Sequence, residues 1–290
     1  FKIEIPQEIK DDSGRSLENR KSFPLEIKTE KFPPLAKFSA MFGIIEKNAE
    51  PVLPVTLRNL EKDVKTKIVQ TESKNPGFFD NLIGKKTRIS NEEILHWLKK
   101  VSRADRDKSI FSDTKSPEPF SFPKPNGAEA FEVVGIPLKE SGFYVVEIES
   151  AILGKSLIPE QTPMYVPTSA LVTNMSVHLK WGREGSVVWV TSLDKGLPVA
   201  DAKISIRDCN NKIIGESKTD FFGIARLPDS TWKSQVSHCS YGSYDSGILV
   251  TAETADDFSF VHSSWDRGIE SWRYNLSSYS NNSKSIVPHT

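Results

Sequence analysis

The residues of this 290-residue chain with the most chemistry on offer are its two cysteines, Cys209 and Cys239. Neither belongs to a CxxC pair and no histidines cluster around them, so a zinc site has no ligand set. Paired, they would close a loop of about 30 residues and place the chain in an oxidising compartment. Left as two half-buried thiols, they would fit a cytosolic protein. The sequence contains no GxSxG, no HExxH and no phosphate-cradling glycine loop, and no histidine stands with a cysteine or serine as base beside nucleophile. The acidic pairs Asp256–Asp257 and Glu92–Glu93 are explained by turn and helix-dipole logic. The sequence therefore offers no catalytic, cofactor-binding or metal-binding residue. Asn174 with Ser176 and Asn275 with Ser277 match the N-glycosylation pattern, a short signal that arises often by chance.

The elements that would position these cysteines centre on Val187 to Leu227. Val188, Val190, Ile204 and Ile206 recur at period two, as in half-buried strands. Asp194, Lys195 and Gly196 supply a turn, and Asn210 with Asn211 joins Ala202–Asp208 to Lys212–Lys218 as a hairpin. Thr219, Asp220 and Gly223 make a tight corner into a strand from Ile224 to Leu227. This is the inside of a small antiparallel sandwich.

Taken in order, residues 1–48 read as a partial or truncated β-domain, with strands at Phe1–Pro6 and Phe23–Thr29. Residues 49–164 read as a second sandwich carrying a helix near 91–103. Ser90 or Asn91 caps that helix, and Ile94, Leu95, Leu98 and Val101 form its apolar face. His96 reads as a surface residue. From Gly142 to Ser150, Tyr144, Val146 and Ile148 face one side of a strand, and Phe143, Val145, Glu147 and Glu149 the other. Pro159, Pro163 and Pro167 mark a linker. Residues 165–254 form a third unit, in which His178 alternates outward, and residues 255–290 lead toward a following domain. Trp265, Trp272, Tyr274 and Tyr279 in that tail read as packing between neighbouring domains. The fold class is all-β: tandem antiparallel β-sandwich domains with one short helix insertion.

Composition excludes several partners. Lys plus Arg and Asp plus Glu number 38 each, so no net field draws in nucleic acid or an anionic membrane. No window approaches a membrane span, and Phe1 opens directly in a strand pattern without a signal peptide, as in a mature or cut-down chain.

The run from Tyr165 through Cys209 to Trp272 resembles the N-terminal macroglobulin-like domains of bacterial alpha-2-macroglobulins. The residues that carry this are Trp181-Gly182-Arg183, Trp189-Val190-Thr191, Cys209, Thr219-Asp220 with Gly223, and Asp257-Phe258 with Phe260. Upstream, FGIIE at Phe42–Glu46, LPVTLRNLE at Leu53–Glu61 and the helix at Ile94–Val101 are similar to preceding domains of that family. The resemblance implies a protease trap: proteases cut a bait segment, the molecule rearranges, and an internal thioester captures the attacker. It also implies a periplasmic protein anchored by lipid to the inner membrane, with proteases and neighbouring domains of the same chain as partners. A thioester needs a cysteine close to a glutamine, as in CxEQ, and neither cysteine here has one. The chain would then be scaffold, and the resemblance favours a Cys209–Cys239 bridge. Two rival expectations are an adhesin stalk and a carbohydrate-binding module presenting Trp265, Trp272 and Tyr274.

Overall fold

β-Branched and aromatic residues at period two dictate a strand from Gly142 to Ser150, and both of its faces are buried. A strand buried on both sides must lie inside a sheet that is covered twice, and that requirement organises the first half of the chain. The computed structural model describes residues 1–6, 8–71, 88–89, 93–114, 117–138, 140–181, 185–227 and 247–265. Among them the chain order is β1 (Lys2–Ile3), β2 (Leu25–Glu26), β3 (Leu35–Phe38), β4 (Phe42–Glu46), β5 (Val52–Arg58), β6 (Asp63–Thr71), β7 (Arg88–Ile89), α1 (Ile94–Ser102), β8 (Glu118–Pro123), β9 (Glu132–Pro137), β10 (Gly142–Ser150), α2 (Ala151–Leu157) and β11 (Met164–Thr173). There follow β12 (Met175–Trp181), β13 (Ser186–Ser192), β14 (Lys203–Arg207), β15 (Ile213–Lys218), β16 (Ile224–Leu227), β17 (Leu249–Glu253) and β18 (Phe258–His262).

The first sandwich sets a sheet ordered β4-β11-β10-β6, with β7 and β8 both on β6, against the three strands β3-β5-β9. Its core joins Val55, Leu57 and Ile136 to Tyr144, Val146 and Ile148. On the far side of the larger sheet, α1 buries Ile94, Leu95, Trp97, Leu98 and Val101 against Phe143, Val145 and Leu171. The two faces of β10 thus divide as their alternation dictates. The helix has a wider apolar face than expected, because Trp97 joins it. Its N-cap is Glu93, without a side-chain capping bond. The expected caps Ser90 and Asn91, and Glu92, lie outside the described residues.

The second sandwich packs β12-β13-β16 against β15-β14-β17-β18 around Val188, Val190, Ile204, Ile206 and Val250. Its turns are those the residues call for. Asp208 Oδ1 accepts from the Asn210 and Lys212 amides at 2.9 Å each, closing the β14–β15 hairpin. The all-β tandem architecture therefore holds, with two differences. Among the described residues there are two α-helices rather than one, and β11 runs parallel to β4, as β7 does to β6.

The strand partners also divide the chain differently from the units read off the sequence. β3 and β4 do not form an opening domain over 1–48; they pair with β5 and β11 and complete the first sandwich. A pair of short strands cannot bury a face alone, so each joins one of the two sheets of the first sandwich. Among the described strands only β1 and β2 stand apart, paired with each other and exposed. β11 closes the first sandwich rather than opening the next, since it lies alongside β10 through the register Gly142↔Val172 to Ser150↔Met164. Pro167 sits within β11 where β4 does not reach, the edge position that tolerates a missing amide donor. Between β10 and the stretch read as a linker stands α2, which the sequence reading did not place, capped by Ser150 Oγ on the Leu153 amide at 3.0 Å. Glu61 seats its start, accepting from Ser150 Oγ at 2.8 Å and the Ile152 amide at 3.0 Å. Gly154 is required there, because a Cβ would lie 1.7 Å from the Thr162 carbonyl oxygen. β18 lies beyond residue 254 yet pairs with β17, so the second sandwich runs on to His262.

Candidate functional site

The tail strand FSFVH is covered on both faces, which a strand at the edge of one sandwich does not need. Val261 packs against the core of the second sandwich, while Phe258 and Phe260 turn outward into the cluster of α1, Phe143, Val145 and Leu171. The outer face of β18 is thus covered by the first sandwich, and the two modules share one apolar seam. Trp265 closes it, with its ring 4.8 Å from Phe42 and 5.6 Å from Phe260. The expected packing between domains holds for Trp265. A carbohydrate platform built on it loses its first aromatic, and Trp272, Tyr274 and Tyr279 lie outside the described residues.

A polar clasp on Asp257 sits where the chain passes from one sandwich to the other. The residue is 4% exposed, and both of its carboxylate oxygens are engaged twice. Oδ1 accepts from Thr173 Oγ1 and the Phe258 amide, both at 2.9 Å. Oδ2 accepts from the Asn174 amide at 2.8 Å and pairs with Lys47 Nζ at 3.1 Å. Thr173 Oγ1 in turn accepts from the Met175 amide at 3.0 Å. One carboxylate therefore holds the end of β4, the β11–β12 link and the start of β18. The sequence reading gave Asp257 only a turn role. The signal that could have found it is its place directly before the strand of Phe258 and Phe260, where a charge survives only if it is fully paired. Its neighbour Asp256 is the turn residue, accepting from Thr254 Oγ1 at 3.1 Å.

Asn174 extends the clasp, because its Oδ1 accepts from the Asp194 amide at 3.0 Å and its carbonyl from Leu193 at 2.8 Å. Hydrogen bonds from Ser192 and then Asn174 hold the Asp194 carboxyl below its ordinary range. The side chain of the first glycosylation match is thus engaged in structure; Asn275 lies outside the described residues.

Two further polar groups tie α1 and its loop to their neighbours, and a third, His262, is buried on β18. Glu147, 1% exposed in mid-strand, accepts from Ser109 Oγ at 2.5 Å and the Ile110 amide at 2.7 Å, fastening the loop after α1 to the sheet. Burial pushes its carboxyl up, and those hydrogen bonds offset part of the rise. Lys99 reaches from α1 to the Cys209 carbonyl at 2.7 Å. Burial first, then Arg103, pulls its ammonium below the ordinary value, while Asp208 opposes them. His262, 1% exposed, follows Phe258 and Phe260 on the same face of β18, and its Nδ1 lies 2.7 Å from Ser264 Oγ. Burial, and then Lys99, holds the imidazole down at about 4.

A pH dependence follows with a definite sign. The folded chain keeps His262 neutral where the unfolded chain would protonate it, so this contribution is whole above pH 6.5 and is lost as pH falls through about 4. Urea unfolding at pH 7 and pH 4.5 should show it as a loss on the order of 2 kcal/mol that His262→Gln abolishes. An unchanged pH slope in that variant would remove His262 from the account.

His96 and His178 are exposed, as expected, and the structure brings neither to a reactive group. His178 lies against Trp189, rings 5.3 Å apart, on the outer face of β12 and β13. Cys209 is buried at 6% exposure, and Cys239 lies outside the described residues. Among the described residues no group of three His, Cys, Asp or Glu side chains could hold a metal ion. No described helix is long and apolar enough to cross a membrane. What the arrangement can do is mechanical: it couples two sandwiches through a shared seam and one saturated carboxylate.

Fold and junction together define a tandem of macroglobulin-like, immunoglobulin-type sandwiches. Residues 172–281 match the family model described as the bacterial alpha-2-macroglobulin MG3 domain. Among solved structures, the chain is similar to native alpha-2-macroglobulin from Escherichia coli spanning domains NIE-MG1, at 13% identity and TM-score 0.55, over 81% of this chain and 100% of that one. The fragment spanning MG0-NIE-MG1 matches at 12% identity and TM-score 0.53, covering 81% of this chain and 66% of that one. Trypsin-activated alpha-2-macroglobulin from Escherichia coli matches at 13% identity and TM-score 0.51, with 80% of this chain aligned to only 14% of that one. At these identities the structural likeness speaks for the fold. No curated protein matches the sequence.

Proposed function

We propose that this chain is the scaffold portion of a bacterial alpha-2-macroglobulin, a broad-spectrum endopeptidase inhibitor whose bait and thioester lie elsewhere in the parent polypeptide. The observation that carries this reading is the Asp257 clasp, set in the segment that matches the bacterial family model. A trap that rearranges when its bait is cut needs struts that move as rigid bodies, and two sandwiches sharing a seam make such a strut. In this reading the chain is not an enzyme. It meets proteases only through the full-length protein, which resides in the periplasm, held to the inner membrane by a lipid anchor outside this chain.

A Cys209–Cys239 disulfide belongs to the same proposal. Reduction and alkylation should then lower the unfolding free energy by about 3–4 kcal/mol in urea. No shift in the midpoint would reject the bridge.

The trap itself is tested on the native source, by blotting extracts with an antibody to this chain, with and without an added endoprotease. The expected result is a parent several times longer that shifts into a protease-linked, SDS-resistant band, abolished by prior methylamine. A parent of this length, or one merely degraded without an adduct, overturns the reading.

A further inference from the structure

The corner between β15 and β16 places two adjacent phenylalanines in solvent, Phe221 at 82% and Phe222 at 64% exposure. Single exposed apolar side chains are ordinary; two together on a rigid tip are not. The tip is rigid for stated reasons. Asp220 Oδ1 accepts from the Phe222 and Ile224 amides at 2.9 Å each, and the Gly223 amide donates to the Asp220 carbonyl at 2.9 Å. Gly223 has φ +73°, and a Cβ there would lie 2.4 Å from the Val190 carbonyl oxygen, so the corner is pressed onto β13. Thr219 anchors its other side, donating to the Val199 carbonyl and accepting from the Ala202 amide, both at 2.8 Å. The neighbouring loop adds Leu197, 57% exposed and next to Pro198, which abuts Gly223. The two rings meet edge to face, 5.5 Å apart.

Size decides what such a tip can hold. Three side chains of this kind expose on the order of 400 Å² of apolar surface. A stable complex between separate molecules buries roughly 800 Å² on each partner. A patch half that size binds usefully when a covalent linkage supplies the effective concentration and the patch is already ordered. The first sandwich meets the second on the outer face of β18, whereas the corner lies between β15 and β16, which close the opposite edge of the second sandwich, and both of its rings are exposed. The first sandwich therefore does not cover the corner.

We infer that the Phe221–Phe222 corner docks into an apolar recess on a further macroglobulin-type sandwich of the same polypeptide, fixing the angle of the strut within the parent. This rests on the reading of the chain as part of a longer macroglobulin-type protein. The test uses the parent chain with p-benzoylphenylalanine in place of Phe221, irradiated and mapped by mass spectrometry. The expected product is an intrachain cross-link, at monomer size, to another sandwich outside these 290 residues. A dimer-sized product, a link to an unrelated protein, or no cross-link overturns the inference. A companion variant, Phe221→Ser with Phe222→Ser, should leave the midpoint of unfolding of the 290-residue chain unchanged, because both rings are exposed there, yet in the parent raise hydrogen exchange several-fold in the contacted sandwich. Unchanged exchange there overturns the inference as well. The two readings fail separately. A protease adduct without the cross-link sinks only the docking, and a cross-link without an adduct sinks only the trap.

Discussion

Asp257→Ala should destabilise the chain by about 3–5 kcal/mol, the cost of breaking a buried ion pair by removing one partner. Four groups lose their acceptor at once: Thr173 Oγ1, the amides of Asn174 and Phe258, and Lys47 Nζ. Lys47, with its side chain 23% exposed, can recover water, but the amides at the link between the sandwiches cannot. The loss should therefore take a particular form, with the one unfolding transition splitting into two as the sandwiches uncouple. Urea unfolding followed by tryptophan fluorescence and by far-UV circular dichroism checks this. Asp257→Asn keeps the shape but turns one oxygen into a donor facing other donors, so it should cost less than alanine yet still split the curve. A fully cooperative transition with a loss below about 1 kcal/mol would mean the clasp carries no coupling.

Glu147→Ala should cost about 3–5 kcal/mol by leaving the Ser109 hydroxyl and the Ile110 amide without their acceptor and opening a void beneath the loop after α1. Glu147→Gln separates the charge from the hydrogen bonds. Its carbonyl can still accept from Ile110, and its amide can donate to Ser109 Oγ. The folded carboxyl titrates above its ordinary 4.5, so the folded chain holds its proton longer than the unfolded one. That contribution is whole below pH 4.5 and is lost as pH rises through the raised value, opposite in sign to His262. The glutamine variant should thus gain on the wild type as pH rises from 4.5 to 8, measured as the difference in urea midpoints. A difference that stays constant with pH would mean that Glu147 is not the group responsible.

Much of the second sandwich was legible because its information is local. The Asn210–Asn211 turn, the Asp220–Gly223 corner and the alternation of Val188, Val190, Ile204 and Ile206 each specify their conformation within a few residues. The two faces of β10 and the surface positions of His96 and His178 were legible for the same reason, since period decides which way a side chain points. The family resemblance, too, rested on short local patterns: Trp189-Val190-Thr191, the Thr219-Asp220 corner, and Asp257 before Phe258 and Phe260.

Tertiary structure alone decided which strands share a sheet. β4 and β11 pair in parallel across more than a hundred residues, and no local period records a partner that far away. For that reason an opening domain and a proline linker were read where the chain was completing one sandwich. The same distance hid the role of Asp257, whose four partners come from three separate segments. By itself it is an acidic residue at a turn. It becomes the joint of the molecule only once folding has removed water from around it, because a carboxylate in that position must have every lone pair answered.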